Sequence, residues 1–139
     1  MAYWLVKSEP FKYSWDQFVK DKKTIWDGVR NYGARNNLVA MKKGDKVLFY
    51  HSNEGVEIVG IAKVVRTAFQ DPTTEQEAWK AVELAPVKKL KHSVPLSALK
   101  ALPELKDMDL IRLGRLSVQT VKEHEWEIVM KLAGEKSKK

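Results

Sequence analysis

Three features of this sequence predict an α+β fold built on one small mixed or barrel-like sheet. Runs of apolar, β-branched and aromatic residues recur at 3–7, 46–51, 56–66 and 79–90, each bounded by turn-forming residues. Segments with apolar residues three or four apart, the mark of short helices, lie between or beside them. No regular strand–helix–strand alternation and no internal repeat is present. At 139 residues, with 44% hydrophobic and 31% charged side chains, the chain holds one ordinary domain with an ample core.

In chain order, Tyr3, Trp4, Leu5, Val6 and Lys7 read as a first, paired strand. Pro10 has no N–H for a ladder and turns Glu9 away from helix, so Lys7 and Ser8 stand at a strand end, where sheets present functional groups. Ser14 and Gln17 have the spacing of a capping box. Trp15, Phe18 and Val19 then form one apolar stripe of a short helix and are assigned to the core. A second helix is expected over 31–41, where Ala34, Leu38 and Met41 share a face. Gly44 and Asp45 turn the chain into a strand over 46–51. Residues 52–55 form a turn, and 56–66 a partner strand in which Gly60 marks a bulge or a barrel corner. After a loop over 71–77, another strand is expected over 79–90, broken by Pro86. Leu96, Leu99 and Leu102 have helical spacing, as do Met108 and Ile111. Residues 112–119 lead into a final strand. Thr120 and Glu123 read as a second capping box, opening a helix with Trp126, Val129, Met130 and Leu132 that Gly134 ends. That makes about five strands.

The composition narrows the chemistry. The chain has no cysteine, which excludes disulfides and thiolate metal sites, and its three histidines form no ligand cluster. No stretch approaches the ~20 apolar residues of a membrane span, and the N-terminal residues make no secretory signal. The expected location is therefore intracellular: cytoplasmic, or nuclear in a eukaryote. The formal net charge is +7 and the pI about 9.5, which favours a polyanionic partner such as nucleic acid. Part of that excess lies in residues 135–139, expected to be a disordered basic tail behind a single domain over 1–134. No Gly-x-Ser-x-Gly, phosphate-loop, His-Glu-x-x-His or Gly-x-Gly-x-x-Gly pattern occurs. His51, at a strand end before Ser52, is the histidine best placed for a role, although a structural one is expected more often.

The densest chemistry lies in residues 26–36: Trp26, Asp27, Gly28, Val29, Arg30, Asn31, Tyr32, Gly33, Ala34, Arg35 and Asn36. Arginine and asparagine offer planar hydrogen-bonding edges, and tryptophan and tyrosine flat faces, which suits a flat polar heterocycle such as a nucleobase. Arg30, Asn31 and Arg35 gather where a helix would start, and its free N–H groups suit phosphate. Trp26 belongs to no apolar stripe, so it is expected to be a pocket wall and not a core residue.

These residues carry a family resemblance. The N-terminal run from Tyr3 to Pro10, the segments 26–32 and 34–36, Gly44-Asp45, the segment 49–53, Arg115-Leu116-Ser117-Val118-Gln119 and Glu125-Trp126 resemble, in order and over nearly the whole chain, the EVE domain of the PUA-like group, which also holds the ASCH and YTH domains. The resemblance implies a pseudo-barrel of about five or six strands with flanking short helices. It implies a pocket for a modified nucleobase in DNA or RNA, modified cytosine being the leading guess, and no catalysis in most members. No metal and no cofactor is expected, and the protein is expected to be a monomer. Candidate base-pocket residues are Lys7, Ser8, Trp26, Asn31, Arg35, His51, Ser52, Ser117 and Gln119. Arg30 and Lys12 are the candidates for phosphate. Two positions depart from the family pattern: Gly33 replaces a frequent Gln, which removes a possible polar contact, and Thr120 replaces a frequent Pro. The rival reading is an ASCH-like amidohydrolase acting on a modified nucleoside, with Lys7, Ser8 and either Glu9 or Asp27 as its reactive groups.

Overall fold

The computed structural model describes residues 1–135. Six strands form one mixed sheet: β1 (Tyr3–Ser8), β2 (Thr24–Trp26), β3 (Lys46–His51), β4 (Glu57–Gln70), β5 (Lys80–Pro95) and β6 (Val118–Val121). Their order is β2-β5-β4-β3-β1-β6. β1 runs parallel to β3 and every other pairing is antiparallel. β2 and β6 do not pair, so the ladder stays open at both edges.

Both faces of the sheet are covered, and strand alternation divides the core accordingly. Trp4, Val6, Val47, Phe49, Val82 and Leu84 point to one face, where α1 (Trp15–Asp21) and α2 (Tyr32–Ala40) supply Trp15, Phe18, Ala34 and Leu38. Leu5, Leu48, Tyr50, Leu90 and Val94 point to the other, covered by α3 (Leu96–Lys100), a 3-10 turn at Pro103–Leu105, α4 (Asp109–Arg112) and α5 (Glu123–Leu132). On this second face Trp126 of α5 stacks on Tyr3 with ring centroids 4.3 Å apart. Asp45 is nearly fully buried and accepts from Trp4 Nε1 at 2.9 Å, Lys42 N at 3.0 Å and Ala2 N at 3.2 Å, which fastens the start of β1 to the turn before β3.

Gly60 does mark a bulge. The β3–β4 register shifts between Phe49 and Tyr50, and the β4–β5 register between Ile58 and Gly60. The slip explains why Ile58 and Ile61, three apart, share one face while Val59 and Ala62 share the other. The position has no room for a side chain: a Cβ there would lie 2.5 Å from the Trp15 ring.

Several boundaries differ from expectation. β2 was not anticipated, because three residues between a helix and a turn carry no periodic signal. β5 is not broken at Pro86 but runs through it to Pro95. The register irregularity between Ile61 and Ala62, opposite Pro86, absorbs the missing N–H. Val19 is exposed on α1, whose buried residues are Trp15 and Phe18. Ser14 caps α1 by accepting from Gln17 N at 3.1 Å, but the Gln17 side chain continues forward to Asp21 instead of reaching back. Thr120 is not a helix cap. It belongs to β6 and its hydroxyl donates to Asp109, while α5 starts at Glu123 with Lys122 as its N-cap, whose N–H donates to Glu125 at 2.8 Å. Glu135, the first residue of the expected tail, accepts from Lys88 Nζ at 2.6 Å and Lys91 N at 2.9 Å; residues 136–139 lie outside the described residues.

Gly60→Ala should destabilise the protein by about 1–3 kcal/mol, since the Trp15 ring, packed on Phe18 and Phe49, must shift to admit the methyl group. Urea unfolding measures this, and a change below about 0.5 kcal/mol would contradict the close approach.

Candidate functional site

Where β1 ends lies a cavity of about 600 Å³. It is lined by Lys7 and Ser8 at the end of β1, Lys12 and Tyr13 in the segment after it, Ser117 before β6, and the continuous run from Thr24 to Arg30. The volume falls inside the roughly 300–1,000 Å³ range of ligand sites. Lys7 reaches this place because β1 and β6 pair antiparallel and its backbone N–H donates to Ser117 O at 3.0 Å. The Lys7 ammonium donates to Gly114 O, and its burial lowers its pKa. Ser8 Oγ donates to Tyr13 O, which curls the segment after β1 back over the strand end.

Trp26 lines this cavity, but it is also half a core residue. Its ring stands edge-on to Phe49 at 5.7 Å and to Tyr13 at 6.3 Å, and it packs against the core cluster from its margin. The expectation of a wall with no core role is corrected on that point. The antiparallel pairing of Trp26 with Val82 in β5 sets the ring direction.

The loop following β2 is held by a buried carboxylate. Asp71, fully buried, accepts from Gly28 N at 2.8 Å, Arg30 Nη1 at 3.0 Å, Thr73 N at 2.7 Å and Thr73 Oγ1 at 2.6 Å. Burial alone would raise its pKa. The hydrogen bonds from Thr73, then Gly28 and Arg30, outweigh that and hold it at about 2. Gly28 takes part with φ +77°, a conformation that favours glycine. Asp27, on the cavity side, has its carboxyl raised by desolvation and by the Asp71 charge. Arg30 lines the cavity, yet its guanidinium is already spent on Asp71, Thr73 Oγ1 at 3.0 Å and Val29 O at 3.0 Å. It acts first as a strut. Lys12 is exposed and pairs with Glu9 at 3.2 Å.

Five candidate residues do not line this cavity. Asn31 caps α2, accepting from Ala34 N at 2.9 Å. Arg35 donates to Ala78 O at 2.6 Å and to Asn36 Oδ1 at 2.9 Å. His51 accepts at Nε2 from Trp15 N at 3.1 Å, in the first turn of α1, and burial lowers its pKa against the pull of Glu57 and Asp16. It is a neutral structural histidine beside a separate cavity. Ser52 donates its backbone N–H to Ser8 O at 2.9 Å and braces the strand end from behind. Gln119 is buried, with Nε2 donating to Leu116 O at 2.9 Å and Leu113 O at 3.3 Å; its Oε1 has no partner. The structure thus brings Lys7, Ser8, Trp26, Ser117, Arg30 and Lys12 together. Sequence reasoning missed Tyr13 and Asp71. Tyr13 is a lone tyrosine in a turn, and the Asp71-Pro72 pair reads only as a loop start.

An α+β sheet covered on both faces, with an aromatic and polar cavity at the end of its first strand, is the architecture of a PUA-like domain. The EVE domain model matches residues 2–132, and the chain belongs to that family. Human thymocyte nuclear protein 1 is 34% identical to it over 94% of this chain and 73% of that protein. Among solved structures, a protein from Rhodopseudomonas palustris superposes with a TM-score of 0.92 at 49% identity, covering 96% of this chain and 94% of that one. The human THYN1 protein, in a crystal structure with DNA containing 5-methylcytosine, superposes with a TM-score of 0.89 at 33% identity, covering 98% and 99%. Among the described residues no helix is long and apolar enough to cross a membrane.

Asp71 leaves a signature in acid. Its folded pKa lies below the ordinary 3.8, so the stability it contributes is present above that value and is lost as pH falls toward about 2. Asp71→Asn should cost about 1–3 kcal/mol near neutral pH, and the gap to wild type should shrink between about pH 4 and pH 2. Melting temperatures against pH check this; a gap independent of pH would remove the carboxylate from the account.

Proposed function

We propose that this protein is a non-catalytic reader of a modified base in nucleic acid, with a modified cytosine as the leading ligand. A single observation carries the reading: one cavity of nucleobase-binding character, combining the Trp26 face with the Lys7, Ser8 and Ser117 polar groups, at the open end of the sheet. The crystal structure of the human relative with 5-methylcytosine-containing DNA supports the ligand class. The base leaves its stack, at a cost of a few kcal/mol that is least in a single strand. Trp26 then stacks against it, and the edge groups of Lys7, Ser8 and Ser117 meet its polar rim. Lys12 and the outward part of Arg30 meet phosphate. The protein works as a monomer, in the cytoplasm or, in a nucleated cell, the nucleus.

One observation favours the hydrolase as a second reading. Lys7, with a lowered pKa, and Asp27, with a raised one, line the same cavity. Against it, the Lys7 ammonium is tied to Gly114 O, and the Glu9 carboxylate, which does not line the cavity, is paired with Lys12 and Asn53.

The test is a panel of DNA and RNA oligonucleotides, each bearing one modified or unmodified base, titrated at one fixed salt concentration. The expected outcome is tighter binding to one modified base, weakened by rising salt, and a loss of about ten- to a hundredfold in Trp26→Ala. Because Trp26 also packs on Phe49, that variant should melt lower than wild type, and binding is measured well below its transition. Equal affinity for all bases would overturn the reader. Turnover of acylated cytidines that Lys7→Ala abolishes would replace it with the enzyme.

A further inference from the structure

Beside the cavity lies a pair of stacked aromatic rings, each with an arginine against it. The Arg30 guanidinium lies 5.6 Å from the Trp79 ring centre, Trp79 lies 4.8 Å from Tyr32 at 33°, and the Arg35 guanidinium lies 5.1 Å from the Tyr32 ring. Nothing in the sheet or the two core clusters requires it, since neither ring belongs to them. Tyr32 is 59% exposed, while Trp79 is half-buried.

The rings are nonetheless held in place. Trp79 Nε1 donates to Gln76 Oε1 at 3.0 Å, and Arg35 donates to Ala78 O at 2.6 Å. The backbone of the same loop closes through Asp71 N to Trp79 O at 3.1 Å. Asp71 is also the residue that fixes Arg30, so one buried carboxylate positions both the cavity wall and the stack. Arg30 itself belongs to both, lining the cavity and lying over Trp79. The stack therefore begins at the cavity rim and runs outward along the start of α2.

From this arrangement we infer that the Tyr32–Trp79 stack is a second nucleic-acid subsite, which takes the unpaired base next to the one held in the cavity. The inference rests on the reader proposed above and extends it. The exposed Tyr32 ring, held against the half-buried Trp79, offers a π-face to a base, and the flanking arginines offer positive charge to the adjoining phosphates. The net charge of +7 agrees in sign. Stacking is tolerant of sequence, so this subsite contributes affinity for an unstacked strand, while the cavity contributes selectivity for the modification. Prior fixing of the rings by Gln76 and Arg35 lowers the ordering cost of binding. The recognised substrate is then a single-stranded or locally opened segment and not an intact duplex.

The experiment uses the full chain and short single-stranded oligonucleotides, one set DNA and one RNA, with a modified cytosine at the centre. In each set the neighbouring nucleotide on either side is replaced in turn by an abasic one. For wild type, one of the two abasic positions should lower affinity about five- to a hundredfold. Tyr32→Ala should lower affinity for the intact oligonucleotide by a similar factor and show little further loss with the same abasic substitution. Trp79→Leu, read alongside circular dichroism and melting temperature, should show the same coupling and guards against a fold effect at Tyr32. The DNA and RNA arms report which strand chemistry the subsite prefers. Additive losses in Tyr32→Ala and in the abasic oligonucleotide, or unchanged affinity in the folded variants, would overturn the subsite. If the central modification proves irrelevant to affinity while the Tyr32 coupling persists, the reader reading fails and the subsite stands.

Discussion

The site depends on one buried carboxylate. Asp71 lies 43 residues beyond Gly28 and 41 beyond Arg30 in sequence, yet its two oxygens hold the loop after β2 against the β4–β5 connection. A desolvated charge of this kind is costly unless its hydrogen-bonding capacity is filled. Here a backbone N–H from each loop, a guanidinium and a hydroxyl fill it. The residues it fixes are the ones that line the cavity from Trp26 to Arg30. Without it, β2 would be a three-residue edge strand with little to orient its side chains.

The opposite wall has a different cause. β1 lies inside the sheet between β3 and β6, so the backbone positions of Lys7 and Ser8 are set by ladders on both sides. Ser52 N to Ser8 O, and Ser8 Oγ to Tyr13 O, extend that order one residue past the strand. The cavity is thus a rigid strand end facing a loop made rigid by a salt bridge. Preorganised polar groups of this type discriminate among ligands because a wrong edge leaves them unpaired. The arrangement also places Trp26 at the margin of the core and on the wall of the cavity at once.

Much of the fold was legible in the sequence. β1, β3 and the bulge at Gly60 declared themselves through β-branched and aromatic runs with glycine punctuation, and Trp15, Phe18 and Leu38 fall in the core as their spacing implied. The extent of β5 was not, because Pro86 argues against a strand until the register slip opposite it is known. Lys7 and Ser8, singled out by strand-end position, Ser117, singled out by the family resemblance, and the unusual run at 26–30 line one cavity. Asn31, Arg35, His51, Ser52 and Gln119 do not line that cavity. Composition reveals that a group can bind a base, but not that a helix N–H, a turn or a loop carbonyl has already taken it. Long-range partnerships such as Asp71 with Gly28 leave no local trace.

The central claim concerns place: the base enters the cavity at the end of β1. The most direct measurement is a nitrogen–proton NMR titration that follows the five tryptophan indoles, assigned through single Trp→Phe variants, as a short single strand carrying a modified cytosine is added. The account predicts that the Trp26 indole shifts most, that the Trp4 and Trp126 indoles in the core move little, and that an unmodified strand gives a much weaker response at the same concentration. A Trp26 resonance that stays fixed while the strand binds, with the largest changes near His51 and Trp15 instead, would contradict it.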